Sequence, residues 1–581
     1  MDCVTTLNIS GICTTSHMWT YYEGPAALLF GRGGAGGIIN LATKQPEHER
    51  IRQFEFETGA YRHLRSTLDV GDAIGQDGAF RVLAMAENSN GFRDHDHLHR
   101  YAINPKFSFQ LGARTQLDLG VSYLDDRRFA DRGIPSQNGR PANVPRDEFF
   151  GSVDQNFANS RVGAFNLRIK HQINDHLKLR NAFRVSDAKK LYQNAYPGSA
   201  VDALGQLQLQ AYHHHNDRLS YLDHAEMIAN FNTGVLRHEL LMGSEFSWQR
   251  GNDLETLPAP GSKTLPGTVS VANPTIASLS FPYLGRNNHV VGKEIGVYAE
   301  DQVSLGRHWK ALIGARWDRF AVDADYFAPG VTPNHTHNVN YDWSPRVGLI
   351  YKPVGNDSIY VSVTQTFTPQ GANIALSQKD PKTANLALEQ ATNYEVGNKL
   401  DLFDGKLSIT AALFQLNLDD VVSNAADGSG QLVNTGKQRN RGIELSAEGA
   451  LTSQWDVYAN YTYLDAEYTQ ATQDAQAGAR VELVPRNQFS IWTHYALAEH
   501  WGVGAGVHGA SRKYTSYYNN NVALPGYAVA DAMAYYQANT YRVQVNLNNI
   551  TDKTYYPTAS GDNQITPGAP VSVIASLSVN F

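Results

Sequence analysis

Gly31-Arg32-Gly33-Gly34-Ala35-Gly36 has the spacing of a glycine-rich phosphate cradle. A dinucleotide fingerprint needs a helix next, so that its N-terminus can hold the pyrophosphate. Here Gly37-Ile38-Ile39-Asn40-Leu41-Ala42-Thr43 follows, partly β-branched and ending at Lys44-Gln45-Pro46, which predicts a strand. The glycines therefore serve tight turns and close backbone approach. His95, His97 and His99 alternate, so an extended strand would put three imidazoles on one face, with Asp94 and Asp96 opposite. Three imidazoles can bind a metal; the competing reading, adopted here, is polar loop histidines and no metal. His213, His214 and His215 fall in a predicted outer loop, and three consecutive residues cannot all face one ion from a regular strand. Cys3 and Cys13 both lie near the N-terminus, so the body of the chain has no thiol chemistry. No Ser/His/Asp order, paired carboxylates or Cys/His constellation stands out, which argues against an enzyme.

The segment 125–150 carries Arg127, Arg128, Arg132, Arg140 and Arg146. Guanidinium groups suit an anionic, ring-bearing ligand by charge and by stacking. Asp125, Asp126, Asp131, Asp147 and Glu148 balance them, so a salt-bridged loop is the alternative. Tyr192, Tyr196, Tyr212, Phe281 and Tyr283 are the aromatic candidates for ligand contact, with an interfacial girdle as the alternative.

The elements that would position these groups are strands. Val571, Val573, Ala575, Leu577, Val579 and Phe581 alternate with Ser572, Ser576, Ser578 and Asn580, Ile574 being the exception. Tyr541, Val543, Val545 and Leu547 alternate with polar residues, as do Leu117, Leu119, Val121 and Tyr123, and Ile359, Val361 and Val363. The polar face is largely Ser, Thr, Asn and Gln, and aromatics gather near strand ends. No run of about 18 apolar residues offers a transmembrane helix, while a transmembrane barrel averages to a polar hydropathy such as the −0.39 found here. A net charge of −7 argues against a nucleic-acid binder. The pattern predicts an all-β chain: a transmembrane antiparallel barrel of about 22 strands beginning near Ile51, with a soluble all-β binding protein as the rival. Stretches without alternation, at 125–150, 191–216, 251–288, 322–340, 368–387 and 470–482, are the predicted outer loops.

The run from Glu23-Gly24-Pro25-Ala26-Ala27-Leu28-Leu29-Phe30-Gly31-Arg32-Gly33 through Gly36-Gly37-Ile38-Ile39-Asn40 to Thr43-Lys44 resembles the closing motif of the plug in TonB-dependent siderophore receptors. Further resemblances follow in the family's order. They are Gly91-Phe92-Arg93-Asp94, the loop from Asp126 to Gly151 (similar to catecholate-type members), Asn393-Tyr394-Glu395-Val396-Gly397, Arg441-Gly442-Ile443-Glu444-Leu445, Asn546-Leu547-Asn548-Asn549-Ile550 and the terminal Phe581. The resemblance implies an outer-membrane barrel at 51–581, a plug remnant at 23–46 and an atypical segment at 1–22. It implies energised uptake of a ferric siderophore by a lipid-embedded monomer working with TonB–ExbB–ExbD, with no cofactor of its own. Arg32 joins Arg127, Arg128, Arg132, Arg140 and the five aromatics as expected ligand contacts. Residues 1–22 show neither a basic n-region nor an apolar h-region. That predicts a truncation, frame disruption or mis-assigned start that removes signal peptide, TonB box and most of the plug. A passive porin-like channel is the alternative such a loss would permit.

Overall fold

The computed structural model describes residues 16–23, 28, 35–330, 332–368, 387–424, 432–472, 475–516 and 520–581. Cys3, Cys13, Gly24, Pro25, Gly31, Arg32, Gly33 and most of the predicted loop 368–387 lie outside the described residues.

Among the described residues, 22 strands close into one barrel, each paired antiparallel to its chain neighbour. Ile51–Gly59 closes the circle on Ser572–Asn580, with Phe54 opposite Val579 and Phe56 opposite Leu577. Side-chain alternation divides every wall strand into two faces. Ile359, Val361 and Val363 stay 43, 48 and 45% exposed, and Val543, Val545, Leu349 and Leu413 are exposed as well. An exposed apolar belt around the whole wall far exceeds the patches a soluble protein carries, so it faces lipid and the soluble reading falls. The opposite face buries Asp69, Arg81, Asp118, Glu294, Arg316 and Asp318. Closure leaves no edge strand, which hydrocarbon requires.

The hairpin of Ser16–Glu23 and Gly37–Thr43 is a separate two-stranded sheet, with Tyr21 opposite Ile39 and Thr20 opposite Asn40. Gly36 precedes its second strand, and Gly37 and Asn40 lie within it. The chain leaving it is gripped by the inner wall. Lys106 Nζ donates to Thr43 Oγ1 at 2.5 Å and to the Lys44 carbonyl at 2.6 Å. Arg81 donates to the Gln45 carbonyl at 2.9 Å and, through two nitrogens, to Asp69 at 2.8 Å each. Asp69 also takes Lys44 Nζ at 2.9 Å, and Arg168 reaches Gln45 Oε1 at 2.9 Å.

The predicted outer loops 191–216 and 322–340 are in large part strand, and 251–288 is strand at both ends. Leu177–Pro197 and Leu209–Thr233 take up most of 191–216, leaving a short connection. Leu236–Leu257, Tyr283–Leu305, Trp309–Phe327 and Asn334–Tyr351 likewise run into the predicted loops 251–288 and 322–340. A barrel strand crosses a bilayer in about 9–11 residues, and Leu209–Thr233 has 25. Above the lipid both faces meet water, so alternation fades while backbone pairing continues.

Two histidine expectations change with this. His213–His215 lie in a strand, not a loop, and the pleat splits them between opposite faces. His95 leaves the strand, which starts at His97; its φ of 66° turns the backbone, and its ring packs on Phe149 at 6.0 Å.

The connections that remain are not loose. Ile134, Phe150, Leu207, Leu209, Val522, Leu524, Ala559 and Ile565 form a buried hydrophobic core, so outer segments far apart in sequence pack into one cap.

Candidate ligand site under the extracellular cap

Tyr192 and Tyr196 stand four residues apart on Leu177–Pro197, both on the inward face, and Tyr212 stands on the neighbouring strand opposite Asn194. Their rings meet at 5.6 Å (Tyr192–Tyr212) and 5.9 Å (Tyr196–Tyr212). Arg132 enters from the cap. Its guanidinium carbon lies 5.6, 5.2 and 5.7 Å from the ring centres of Tyr192, Tyr196 and Tyr212. Nε donates to the Tyr192 hydroxyl at 3.1 Å, Nη1 to Gln564 Oε1 at 3.0 Å, and Nη2 to the Tyr212 hydroxyl. Burial alone would lower the affinity of Arg132 for its proton, but the Tyr192 and Tyr212 oxygens outweigh it, so the group stays a cation. Burial pushes the Tyr196 hydroxyl up to about 12, so it stays neutral.

The loop that delivers Arg132 is held by backbone. Ile134 and Ile565 exchange N–H···O bonds of 2.8 and 2.9 Å. Gly133 has φ +83°, and a Cβ there would lie 2.0 Å from the Ile565 carbonyl oxygen, so only glycine fits. Asp131 accepts the Gly133 N–H at 2.8 Å and pairs with buried Arg93.

A second polar array adjoins the tyrosines. Lys263 Nζ sits 4.3 Å from the Tyr212 ring centre and 2.9 Å from Glu255. Arg286 bridges Asp253 at 2.6 Å and Glu255 at 2.9 Å, and Asp253 also takes His214 and Asn216. Burial pushes the Asp253 carboxyl up, but His214 and Arg286 outweigh it and hold it below the ordinary carboxylate range. A depressed carboxylate stabilises the fold fully above its unfolded value of about 4, and that contribution is lost as pH falls through the folded value. Backbone protection at 286–289, followed by hydrogen exchange, is therefore expected to drop in acid below about pH 4. Asp253→Asn should abolish that acid step; an unchanged step in the variant would remove Asp253 from the account.

Of the residues expected from sequence, the structure brings together Arg132, Tyr192, Tyr196 and Tyr212. Arg128 shares the inward face but is paired with Asp126 at 2.7 Å. Arg127 points the other way, on the outside of the wall with Asp125 and Arg161. That corrects its place among the lumen contacts: it lies one residue from Arg128, and successive residues of a strand face opposite sides. Arg140 is exposed on a small hairpin of the cap. Phe281 packs on outward-facing His213 at 6.1 Å, and Tyr283 is exposed at the start of its strand. Lys263, Arg286, Asp253, Glu255 and Gln564 were not foreseen, and His214 was weighed only as a metal ligand. The charged ones carried no spacing signal, and Gln564 reaches Arg132 across 432 positions.

A closed lipid-facing barrel, capped by packed outer segments above a cationic and aromatic inner wall, is the architecture of an outer-membrane transport protein. The family model for the TonB dependent receptor-like β-barrel matches residues 101–550, and the chain belongs to that family, placing it in the outer membrane of a Gram-negative bacterium. It is 28% identical to the metal-pseudopaline receptor CntO of Pseudomonas aeruginosa, over 96% of this chain and 79% of the relative. It is 26% identical to a probable TonB-dependent siderophore receptor, PiuA of Acinetobacter baumannii, over 96% of this chain and 80% of the relative. The crystal structure of the siderophore receptor PiuA superposes with a TM-score of 0.91 at 23% identity, covering 98% of this chain and 87% of that one. The closed form of the ferric-catecholate import receptor Fiu from Escherichia coli gives 0.85 at 24% identity, covering 96 and 85%. The family is one of receptors and transporters, and a passive porin is not the reading it favours.

Proposed function

We propose that this chain takes up a ferric siderophore across the outer membrane, with energy delivered by the TonB–ExbB–ExbD complex, as a monomer in lipid and without covalent chemistry of its own. In this reading 51–581 is the barrel and 23–46 the end of a plug domain, to which 16–22 also belong, since they pair with 38–43; the sequence-based boundary at 22 cuts through that hairpin. Arg132 with Tyr192, Tyr196 and Tyr212 forms the wall-side contact for the chelate. The observation that carries it is a guanidinium ringed by three phenols on the inner wall. Aromatic faces stack on a flat aryl ligand, and the cation favours net negative charge. An anionic iron complex with aromatic chelating arms, as in a catecholate, fits that chemistry. The relatives named above support a metal–chelate cargo by what they are named for.

Tryptophan-fluorescence titration of the purified chain in detergent, with ferric complexes of a catecholate, a hydroxamate and citrate, tests the reading. Saturable binding with the catecholate tightest is expected. Equal or absent binding of all three, together with a steady large current in planar bilayers, would instead make it a passive channel.

A further inference from the structure

Arg127 faces away from the lumen, and the surface it joins has its own chemistry. On His97–Gln110, Thr115–Arg128, Phe157–Asn174 and Leu177–Pro197, outward residues fall into cross-strand rows. One row, Val121, Phe165 and Val185, belongs to the lipid-facing belt. The next holds Ile103, Tyr123, Gly163 and Asp187. Above it come Tyr101, Asp125, Arg161 and Lys189, and then His99, Arg127, Asn159 and Leu191. Going outward, the wall changes from apolar to aromatic to basic, the order a lipid presents from acyl chain to headgroup.

The basic groups are held in place. Asp125 accepts from Arg127 Nε at 2.8 Å, from Arg161 Nε at 3.0 Å and from the Tyr101 hydroxyl at 3.4 Å. Its carboxylate is 2% exposed, whereas the Arg127 and Arg161 side chains are 53 and 60% exposed. The carboxylate thus sits behind two guanidiniums that stay open to the outside. Arg127 also gives Nη2 to Asp125, so most of the five donors on each guanidinium are not spent on it. Lys189 is exposed and in register with Arg161. Below Arg161, Gly163 leaves open space where a Cβ would lie, a notch beside Tyr123. On the far side Asp187 faces out, and Asp217, opposite Lys189, lies 3.2 Å from His215. These carboxylates bound the patch and direct an anion toward Arg127 and Arg161.

We infer that this patch binds the phosphate of a phosphorylated glycolipid in the outer leaflet. The phosphate sits on Arg127 and Arg161 with Lys189 beside them, a sugar ring lies over the Gly163 notch against Tyr123, and acyl chains run down Val121, Phe165 and Val185. Guanidinium is the side chain best matched to phosphate, donating two parallel bonds.

The test uses the full chain in dodecyl maltoside micelles and a bis-phosphorylated, acylated glucosamine disaccharide as probe, with binding followed by native mass spectrometry. Saturable binding is expected, at least tenfold weaker in the double variant Arg127→Gln/Arg161→Gln. It should weaken by less when both are changed to lysine, which keeps the charge but not the paired donors, and be unchanged in Arg307→Gln, which removes a charge from an exposed turn at the barrel's other end. Heat-modifiable gel migration identifies variants that retain a folded barrel. Equal affinity in the folded double variant, or equal binding of the dephosphorylated probe, would overturn the site. Inorganic phosphate binding as tightly as the glycolipid would assign it to free phosphate and overturn the lipid. Ferric-chelate titration of the double variant should match the parent, so this site and the transport reading fail separately.

Discussion

With Arg132 replaced by alanine, the chain is expected to bind an anionic aryl ferric chelate about 100-fold more weakly, while the barrel stays folded. A desolvated cation–π contact is worth about 2 kcal/mol and a hydrogen bond to a charged group about 1.5–3 kcal/mol. Arg132 makes three of each. Those contacts also tie the cap to the wall, so only part of their sum appears as ligand affinity. About 3 kcal/mol, or roughly a hundredfold, is the share expected in binding. Lysine should restore little, because a point charge cannot reach two phenols and Gln564 at once. Arg140→Ala removes an exposed arginine from the same cap and should change affinity by less than about twofold. Chelate titration by fluorescence, with thermal melting of each variant, reads both quantities. Affinity unchanged in a folded Arg132→Ala protein would take the cluster out of the ligand site and leave it a structural tie.

What was legible in the residues depended on lipid. Where one face meets hydrocarbon and the other the lumen, as at Tyr541–Asn548 or Ile359 to Val363, alternation reveals strand and orientation together. Past the membrane that contrast ends, and so 191–216 read as loop although the backbone of 191–197 and 209–216 is paired. Arg127 and Arg128 show the limit most sharply. One residue of register separates lumen from lipid, and in 125–150 the charges mask the register. Tyr192, Tyr196 and Tyr212 were recognisable as candidates because rings in predicted outer loops commonly mark binding surfaces. Their convergence on Arg132 rests on neighbouring strand registers, and the Ile134–Ile565 bridge on contacts across most of the chain. The cap core was hidden for a related reason: Ile134 and Ile565 are single apolar residues in polar surroundings, and Leu207 with Leu209 and Val522 with Leu524 are pairs too short to show what they pack against.

The second large effect is expected at the other end of the lumen, where the chain leaves the hairpin. Arg81 and Asp69 are about equally buried, at 7 and 6% side-chain exposure, and pair through two nitrogens. Removing one member of a buried ion pair leaves the other uncompensated, at about 3–5 kcal/mol. In Asp69→Ala the stranded charges are Arg81 and Lys44, and both also border the hairpin exit: Arg81 holds the Gln45 carbonyl, and Lys106 holds that of Lys44. Arg81 would turn toward the remaining carboxylate at Glu47, already 3.1 Å away and half exposed, drawing its donor off Gln45. Loss of amide protection across Gly37–Thr43 by at least about tenfold is therefore expected, with the barrel strands still protected. Replacing the pair together, Arg81→Met with Asp69→Leu, removes both buried charges, so much of the stability should return, but Gln45 still lacks its donor. Hairpin protection should then stay low although the fold is firm. That split separates a grip on the hairpin from a general loss of wall stability. Protection at Gly37–Thr43 recovering fully in the double variant would mean that the ion pair stabilises the wall alone.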